Sequence, residues 1–265
     1  MNSKEENVTR TNDEATESKL AAIQLGLLED DQLNSLLETR NCKIVKEPLI
    51  IRGTVIRAKI IDQYLIREAS VTQIVNLGCG FDTRALKHPE KTFFEVDFAS
   101  VLSEKENLFG KPVNVNYCPC DLESDNLCKL LVHAGIDVNK PTLIMAECCF
   151  MYLEINTVRN LQRELAEMFK SCSIITFDAI KGKDAFGNRM TDNLPYKMPF
   201  FSHCSSKVDY VNIFDKFKCV DSFNMLEAES RLSDFKQTLD SKCMLDELEE
   251  WRIISGHYLF CRFLR

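Results

Sequence analysis

The sequence predicts an α/β protein built on a mostly parallel, doubly wound sheet of seven strands. Two observations lead to this prediction: short apolar runs recur along the chain, and segments with helical periodicity lie between them. A third is the Gly-x-Gly turn that closes the first run, at Gly78 and Gly80. Strands that alternate with helices at this spacing are typical of βαβ units, whose strands are parallel.

The apolar runs define the predicted strands. They cover residues 73–77, 92–97, 113–118, 141–147 and 173–178, followed by 217–223 and 257–264. The predicted helices of this region cover 99–108, 122–134 and 154–170. The last two strands are close together near the end of the chain, and we expect them to add an antiparallel edge to the parallel sheet.

The first 70 residues have a different pattern. Residues 1–14 lack apolar periodicity, which predicts a disordered leader. Two short helices are predicted between residues 15 and 40, and 51–69 places its aliphatic residues on one helical face. We therefore predict a single domain over 15–265, of which residues 15–70 form a helical cap.

Composition and charge exclude several functional classes. Twelve cysteines in 265 residues is a cysteine content well below the roughly 8–10% of a disulfide scaffold. The sequence has no CxxC pair, which is the spacing that would suggest a metal site. A net charge of -7 disfavours a nucleic-acid partner. No run of about 18 apolar residues could span a membrane. The polar start of the chain does not resemble a secretory signal, so we expect a cytoplasmic protein with free thiols.

Unusual residues stand where the predicted strands end. Gly78 follows the first strand and allows close approach of a ligand to the backbone. Asp97 ends the second, 19 residues further on, which is the spacing of an acid that accepts hydrogen bonds from ribose hydroxyls. Asp121 follows the third, where it and its neighbours could hold an adenine edge, and Glu147 ends the fourth. Since parallel strands bind ligands beyond their carboxyl ends, these residues predict a nucleoside site.

The glycine turn distinguishes between two classes of nucleoside cofactor. A dinucleotide site has a third glycine and binds its pyrophosphate at a helix N-terminus. Here the third glycine position is Thr83, and Asp82 stands where it would repel phosphates. The pattern therefore favours S-adenosylmethionine, which has no phosphate, and leaves a dinucleotide oxidoreductase as an alternative.

Six motifs in order along the chain resemble the leucine carboxyl methyltransferase family. They are Ile-Arg-Gly at 51–53, Asn-Leu-Gly-Cys-Gly-Phe-Asp-Thr-Arg at 76–84, Phe-Glu-Val-Asp-Phe at 94–98, Ala-Glu-Cys-Cys-Phe-Met-Tyr at 146–152, Asp-Ala-Phe-Gly at 184–187 with Met190, Asn193 and Leu194, and Gly-His-Tyr at 256–258. The resemblance runs from about residue 15 to the end of the chain.

The resemblance implies a class I S-adenosylmethionine-dependent methyltransferase fold with extra helices that cap the cofactor. It also implies the activity, methyl esterification of the C-terminal leucine α-carboxylate of the protein phosphatase 2A catalytic subunit, by a monomer. The implied catalytic residues are Arg52 and Tyr152, which would orient the substrate carboxylate. The implied cofactor contacts are Lys19 and Arg52 on the methionine carboxylate, Gly78 beneath the methionine, Asp97 on the ribose, Asp121 and Leu122 around the adenine, and Glu147 at the amino group.

Other functions remain open at this point. One is a different methyltransferase of the same superfamily, either tRNA-modifying or acting on a small molecule. Another is a methyltransferase-like binding module without activity. We further expect Arg52→Ala to abolish methyl transfer with the fold intact, and His257 to be a satisfied strand histidine. Asp178, at the end of the fifth predicted strand, is given no role.

Overall fold

The computed structural model describes residues 3–40, 44, 46–180, 184, 185, 187, 188, 204–243 and 248–265, with the backbone alone for 3–10, 36–40 and 248. The chain forms two compact units. The helical unit comprises Met1–Arg67 and Phe223–Gly256, and the sheet unit comprises Glu68–Ser222 and His257–Arg265.

The sheet has seven strands, as the sequence predicts. They are β1 (Gln73–Leu77), β2 (Thr92–Asp97), β3 (Val115–Pro119), β4 (Thr142–Glu147), β5 (Cys172–Ala179), β6 (Lys218–Asn224) and β7 (Tyr258–Leu264). Their order is β3-β2-β1-β4-β5-β7-β6. The first five strands pair in parallel, whereas β7 runs antiparallel to β5. The predicted fold class, a mostly parallel doubly wound sheet of the class I methyltransferase type, is therefore confirmed.

Helices connect most of the strands and form most of the helical unit. They are α1 (Ser3–Gln24), α2 (Asp31–Arg40), α3 (Pro48–Arg67), α4 (Arg84–Lys87), α5 (Ala99–Phe109), α6 (Leu127–His133), α7 (Ile155–Met168), α8 (Lys207–Val211), α9 (Met225–Arg231), α10 (Ser233–Lys242) and α11 (Leu248–Ser255). A short 3-10 turn covers Phe150–Tyr152.

The core of the sheet unit forms because its central strands are apolar on both faces. All five residues of β1 and all eight of β5 are buried. Helix α7 contributes Val158, Leu161 and Leu165, which its helical period places on one buried face. Burial of each such side chain stabilises the fold by roughly 1.5–3 kcal/mol.

The helical unit corrects two expectations. Residues 3–14, predicted to be a disordered leader, lie within α1. Extending a helix adds a hydrogen bond per residue without a new nucleation step, so this polar segment continues the turns that Leu20 and Ala21 anchor by burial. The predicted cap over 15–70 is also incomplete, because α9, α10 and α11 belong to the same unit as α1, α2 and α3.

The described residues include neither a membrane-spanning helix nor a group of metal-binding side chains. None of the described helices has the length and apolarity needed to cross a bilayer. Within the same part of the chain, no group of three or more His, Cys, Asp or Glu side chains is arranged to hold a metal ion. Eleven cysteines are described, and none of them forms a disulfide bond with another described cysteine.

Candidate active site

Most of the predicted site residues lie at the carboxyl edge of the sheet. Gly78 directly follows β1, Asp97 ends β2, Glu147 ends β4, and Asp121 comes two residues after β3. Because the strand order is β3-β2-β1-β4, these four positions follow adjacent parallel strands. The chain order reverses beside β1, and such a switch point is where open α/β sheets bind ligands.

The turn after β1 requires glycine at position 78. Its φ of 61° is left-handed, a conformation that costs other residues roughly 1–2 kcal/mol. A Cβ at this position would also stand 2.9 Å from Sγ of Cys149. Gly80 is left-handed as well, with φ 45°. These two conformations turn the chain so that the Gly80 N–H points back to the end of β2.

That N–H binds Asp97. The Asp97 carboxylate accepts hydrogen bonds from the Gly80 N–H at 2.8 Å and from the Phe98 N–H at 2.8 Å. Burial raises the pKa of Asp97, and the two N–H donors and the charge of Lys105 oppose that shift. A carboxylate has about four acceptor sites, so capacity remains for hydroxyl donors.

A buried arginine links the glycine turn to β4. Arg84 binds Asp82 twice, through its backbone N–H at 2.7 Å and through its guanidinium, and the same guanidinium nitrogen lies 2.7 Å from a carboxylate oxygen of Glu147. Sequence reasoning did not assign Arg84 a role. The sequence did contain a signal for this role, because Asp82 and Arg84 are an acid and a base two residues apart beside the glycine turn. The bridge holds Glu147 in place, and Glu147 remains partly accessible.

The two residues predicted to frame an adenine lie in a tight turn. The Asp121 carbonyl accepts from the Ser124 and Asp125 N–H groups, and its side chain accepts from the Glu123 N–H at 3.0 Å. Leu122 is half-buried and packs against the core of the sheet unit. The structure thus shows what shapes this turn, while contact of Asp121 and Leu122 with an adenine stays a prediction.

A row of polar residues crosses three adjacent strands beneath the site. Asn76, Glu95 and Tyr117 are register partners across β1, β2 and β3. Asn76 and Glu95 are buried, and Tyr117 is half-buried. Nζ of Lys105, from α5, lies 2.7 Å from the Glu95 carboxylate, and both side chains are buried. Burial raises the pKa of Glu95, and the charge of Lys105 opposes the shift. This pair neutralises the acid in the strand that ends in Asp97.

Tyr152 stands at the end of the 3-10 turn that follows β4. The chain leaves the strand through Cys148, a non-glycine residue with a left-handed φ of 54°. Tyr152 is half-buried and packs against the buried pair of Met151 and Ala179. The sequence motif at 146–152 therefore places Glu147 and Tyr152 on either side of one strained turn.

Lys19 and Arg52 belong to the helical unit. Lys19 is half-buried on α1. Arg52, on α3, is buried, and its guanidinium binds Glu229, Asp240 at 2.6 Å and the Cys243 carbonyl at 3.2 Å. Its Nε is buried without a hydrogen-bond partner among the residues that the structure describes. The predicted contacts of Lys19 and Arg52 with a cofactor remain predictions.

The histidine of the last sequence motif, His257, has an acid as its hydrogen-bond partner. Nε2 of His257 lies 2.7 Å from the Asp184 carboxylate, whose other oxygen accepts from the Gly187 N–H at 2.8 Å. The interpretation of His257 as a satisfied strand histidine agrees with this contact. The other residues of the 184–194 motif that the resemblance used, namely Phe186, Met190, Asn193 and Leu194, lie outside the described residues.

The chemistry of these side chains suits S-adenosylmethionine. Asp97 and Glu147 are acceptors for hydroxyl and ammonium groups, and the cation that contacts Glu147, Arg84, also binds Asp82. Such a set attracts a sulfonium ion and repels a pyrophosphate. The residues present therefore fit a positively charged nucleoside better than a dinucleotide.

Sequence comparison finds one family. The family model for leucine carboxyl methyltransferase matches residues 3–166. The chain is 27% identical to leucine carboxyl methyltransferase 1 of Schizosaccharomyces pombe, over 95% of this chain and 92% of that protein. It is 25% identical to the Arabidopsis thaliana homolog of this enzyme, over 95% of this chain and 87% of that protein.

Structural comparison finds methyltransferase folds. A protein from Thermobifida fusca described as a methyltransferase superimposes with a TM-score of 0.56 at 16% identity, covering 94% of this chain and 93% of that one. An S-adenosylmethionine-dependent methyltransferase from Mesorhizobium loti gives a TM-score of 0.51 at 14% identity, over 74% and 91% of the two chains. These similarities establish the fold.

Proposed function

The chain belongs to the leucine carboxyl methyltransferase family, and on that premise we propose that it methylates the C-terminal leucine α-carboxylate of the protein phosphatase 2A catalytic subunit. The methyl donor in this proposal is S-adenosylmethionine. The observation that carries the proposal is the acidic edge of the sheet around the glycine turn. Asp97 and Glu147 end the two strands on either side of β1, and Arg84 holds Glu147 in place.

The proposed cofactor contacts follow from the chemistry of each side chain. Asp97 would accept from the ribose hydroxyls, Glu147 from the amino group, and Gly78 would leave room for the methionine chain. Asp121 and Leu122 would frame the adenine. When bound, S-adenosylmethionine supplies an electrophilic methyl group on a sulfonium centre.

We assign the contact with the cofactor's methionine carboxylate to Lys19 and Arg52. The Nε of Arg52, which has no hydrogen-bond partner among the described residues, supports the assignment, because it is a donor that a ligand could use.

The substrate needs orientation more than activation. An α-carboxyl group has a pKa near 3.3–3.7, so it is ionised at neutral pH and requires no general base. Tyr152 would donate a hydrogen bond to the carboxylate, and Arg52 would align it. Because the charge of Arg52 is already shared with Glu229 and Asp240, it would orient the acid without holding it too tightly in the ground state. Exclusion of water favours a transfer in which opposite charges disappear.

We also propose that the protein acts as a monomer in the cytoplasm. The absence of disulfide bonds among the described cysteines supports this location, since reduced thiols are typical of reducing compartments.

The test is transfer of a radiolabelled methyl group onto two forms of the phosphatase catalytic subunit, with and without the terminal leucine. We expect label on the complete subunit alone. Glu147→Gln should reduce the labelling strongly, whereas Glu104→Gln, an exposed change on α5, should not. Equal labelling of both subunit forms, or none of either, contradicts the proposal.

A further inference from the structure

We propose that Asp178 is a positioning residue that holds the turn after β4, and with it Tyr152, in the geometry that methyl transfer requires. The role of Asp178 in catalysis rests on the function proposed above. Asp178 is the strand-end acid of β5, and no step of the reaction described so far uses it.

The Asp178 carboxylate is fully buried and receives donors from two directions. One oxygen accepts from the Met151 N–H at 3.0 Å, and the other accepts from the Tyr210 hydroxyl at 2.6 Å. The N–H groups of Cys149 and Phe150 also favour the ionised form of this acid and oppose the rise in its pKa. Three consecutive N–H groups of the turn therefore stabilise the Asp178 carboxylate, and the Met151 N–H binds it directly.

The turn needs such an acceptor. A 3-10 turn leaves its first N–H groups without partners in the turn itself, and buried N–H groups require acceptors. The left-handed Cys148 at its start adds strain of order 1–3 kcal/mol, which the surroundings must balance. Within the turn, the Tyr152 N–H binds the Cys149 carbonyl at 3.2 Å. Through these bonds Asp178 fixes the backbone that carries Tyr152, without itself contacting a substrate.

Tyr210, on α8, acts with Asp178. Its ring is fully buried and packs against Phe214 in a tilted arrangement, so its hydroxyl has a fixed direction. A neutral phenol that donates to a carboxylate supports the ionised form of the acid. The pair therefore keeps both Asp178 oxygens acting as acceptors.

The charge state of Asp178 provides a second argument. Burial raises its pKa to about 7, although Tyr210 and the three N–H donors oppose the shift. The other titratable groups that interact with it are the thiols of Cys149 before the turn, Cys204 before α8 and Cys261 on β7. Burial raises the pKa of the first two, and a hydrogen bond with Cys219 together with burial raises that of Cys261, so all three are neutral at pH 7.

This raised pKa has a defined consequence for stability. The folded protein holds the Asp178 proton more tightly than the unfolded chain, so the stability that this group contributes falls as pH rises from about 4 to about 7. An amide of the same shape would avoid that cost. The amide has one acceptor oxygen where the carboxylate has two, however, so it could not accept from both the Met151 N–H and the Tyr210 hydroxyl.

The experiment compares Asp178→Asn and Tyr210→Phe with matched controls. Asp215→Asn alters a surface acid, and Tyr117→Phe removes one phenol hydrogen bond to the Gly110 carbonyl. The first readout is hydrogen exchange of the amides at 149–151 at pH 8, which does not depend on any activity. We expect Asp178→Asn to accelerate this exchange at least tenfold and the controls to leave it unchanged. Unchanged exchange in Asp178→Asn would overturn the proposed hold on the turn.

The second readout is methyl transfer as a function of pH. We expect kcat of the wild type to fall below about pH 7 as Asp178 is protonated. Asp178→Asn should remove this decrease of kcat at low pH and lower kcat roughly 10–100-fold, with little change in KM for S-adenosylmethionine. Tyr210→Phe should move the decrease of kcat to higher pH, because it removes a donor to the ionised acid.

The two readouts separate the two proposals. A wild-type protein that does not methylate the leucine carboxylate contradicts the proposed function, and the exchange data then still decide whether Asp178 holds the turn. Faster exchange combined with an unchanged kcat and pH profile would overturn the catalytic part of the inference alone.

Discussion

Replacing Arg52 by alanine should destabilise the protein as well as affect its activity. The Arg52 and Glu229 side chains are 4% and 6% exposed and form an ion pair, and Nε1 of Trp251 donates to the second Glu229 oxygen at 2.8 Å. Arg52→Ala would leave Glu229 buried beside the half-exposed Lys236, whose Nζ is 3.5 Å away, in place of the buried guanidinium. This differs from the expectation, drawn from the sequence, that the variant would keep its fold intact.

The size of the effect follows from burial. Removing one partner of a buried ion pair costs about 3–5 kcal/mol, because the remaining charge stays desolvated. The second acid bound to Arg52, Asp240, is 47% exposed and adds at most about 1 kcal/mol. We therefore expect Arg52→Ala to lower the free energy of unfolding by about 3–5 kcal/mol. Because whole domains are stable by about 5–15 kcal/mol, this loss is a large part of the total.

The assay is urea unfolding of a double-mutant cycle. Arg52→Met and Glu229→Gln are measured singly and together, and the double variant should recover most of the loss, since it buries no net charge. Arg163→Ala is the matched control, because its pair with Asp215 is about half exposed and solvent screening should leave it with little effect on stability. Additive losses in the cycle, or a loss below about 1 kcal/mol for Arg52→Ala, would refute the reasoning.

Three further changes test other parts of the account. Gly78→Ala should weaken S-adenosylmethionine binding at least tenfold by calorimetry, because its Cβ would meet Cys149 and its φ is left-handed; binding within twofold of wild type would contradict this. Lys105→Met should lower the free energy of unfolding by about 3–5 kcal/mol in urea, since Glu95 would be buried without its cation, and a loss below about 1 kcal/mol would count against the pair. Glu147→Gln should weaken cofactor binding about tenfold with an unchanged melting temperature, and unchanged affinity would remove Glu147 from the site.

The strands could be predicted because they are buried on both faces. A central parallel strand appears in the sequence as a continuous apolar run, and β1 and β2 begin and end at the predicted residues. The prediction of the helix after β3 was less accurate. This helix begins at Leu127, because the Asn126 side chain caps it by accepting from the Lys129 N–H. The predicted start at 122 overlooked the turn that Asp121 forms.

The helices of 225–255 were missed because their sequence is mostly polar. Helix α10, for example, buries Leu239 alone among its residues, so its apolar pattern is too weak to detect. Asn224 and Glu227 do form a capping box, which was a readable signal for the start of α9. That signal would have extended the cap to the second segment of the helical unit.

The site could be predicted only in part. Strand-end residues such as Gly78, Asp97 and Glu147 are close because the topology brings them together, and topology follows from local pattern. The partners of Arg52 and Asp178 could not be found in this way. Glu229 is 177 residues from Arg52, and Tyr210 is 32 residues from Asp178 on a short helix. Such pairs depend on packing, which a single sequence does not encode locally.

The central claim is that the transferred methyl group forms an ester on a terminal leucine carboxylate. The direct measurement is to digest the labelled phosphatase catalytic subunit, isolate its C-terminal peptide and treat it with mild alkali. The account predicts that the label resides on this peptide and is released by alkali, as expected of a methyl ester. Label that resists alkali, or that resides on any other peptide, would contradict it.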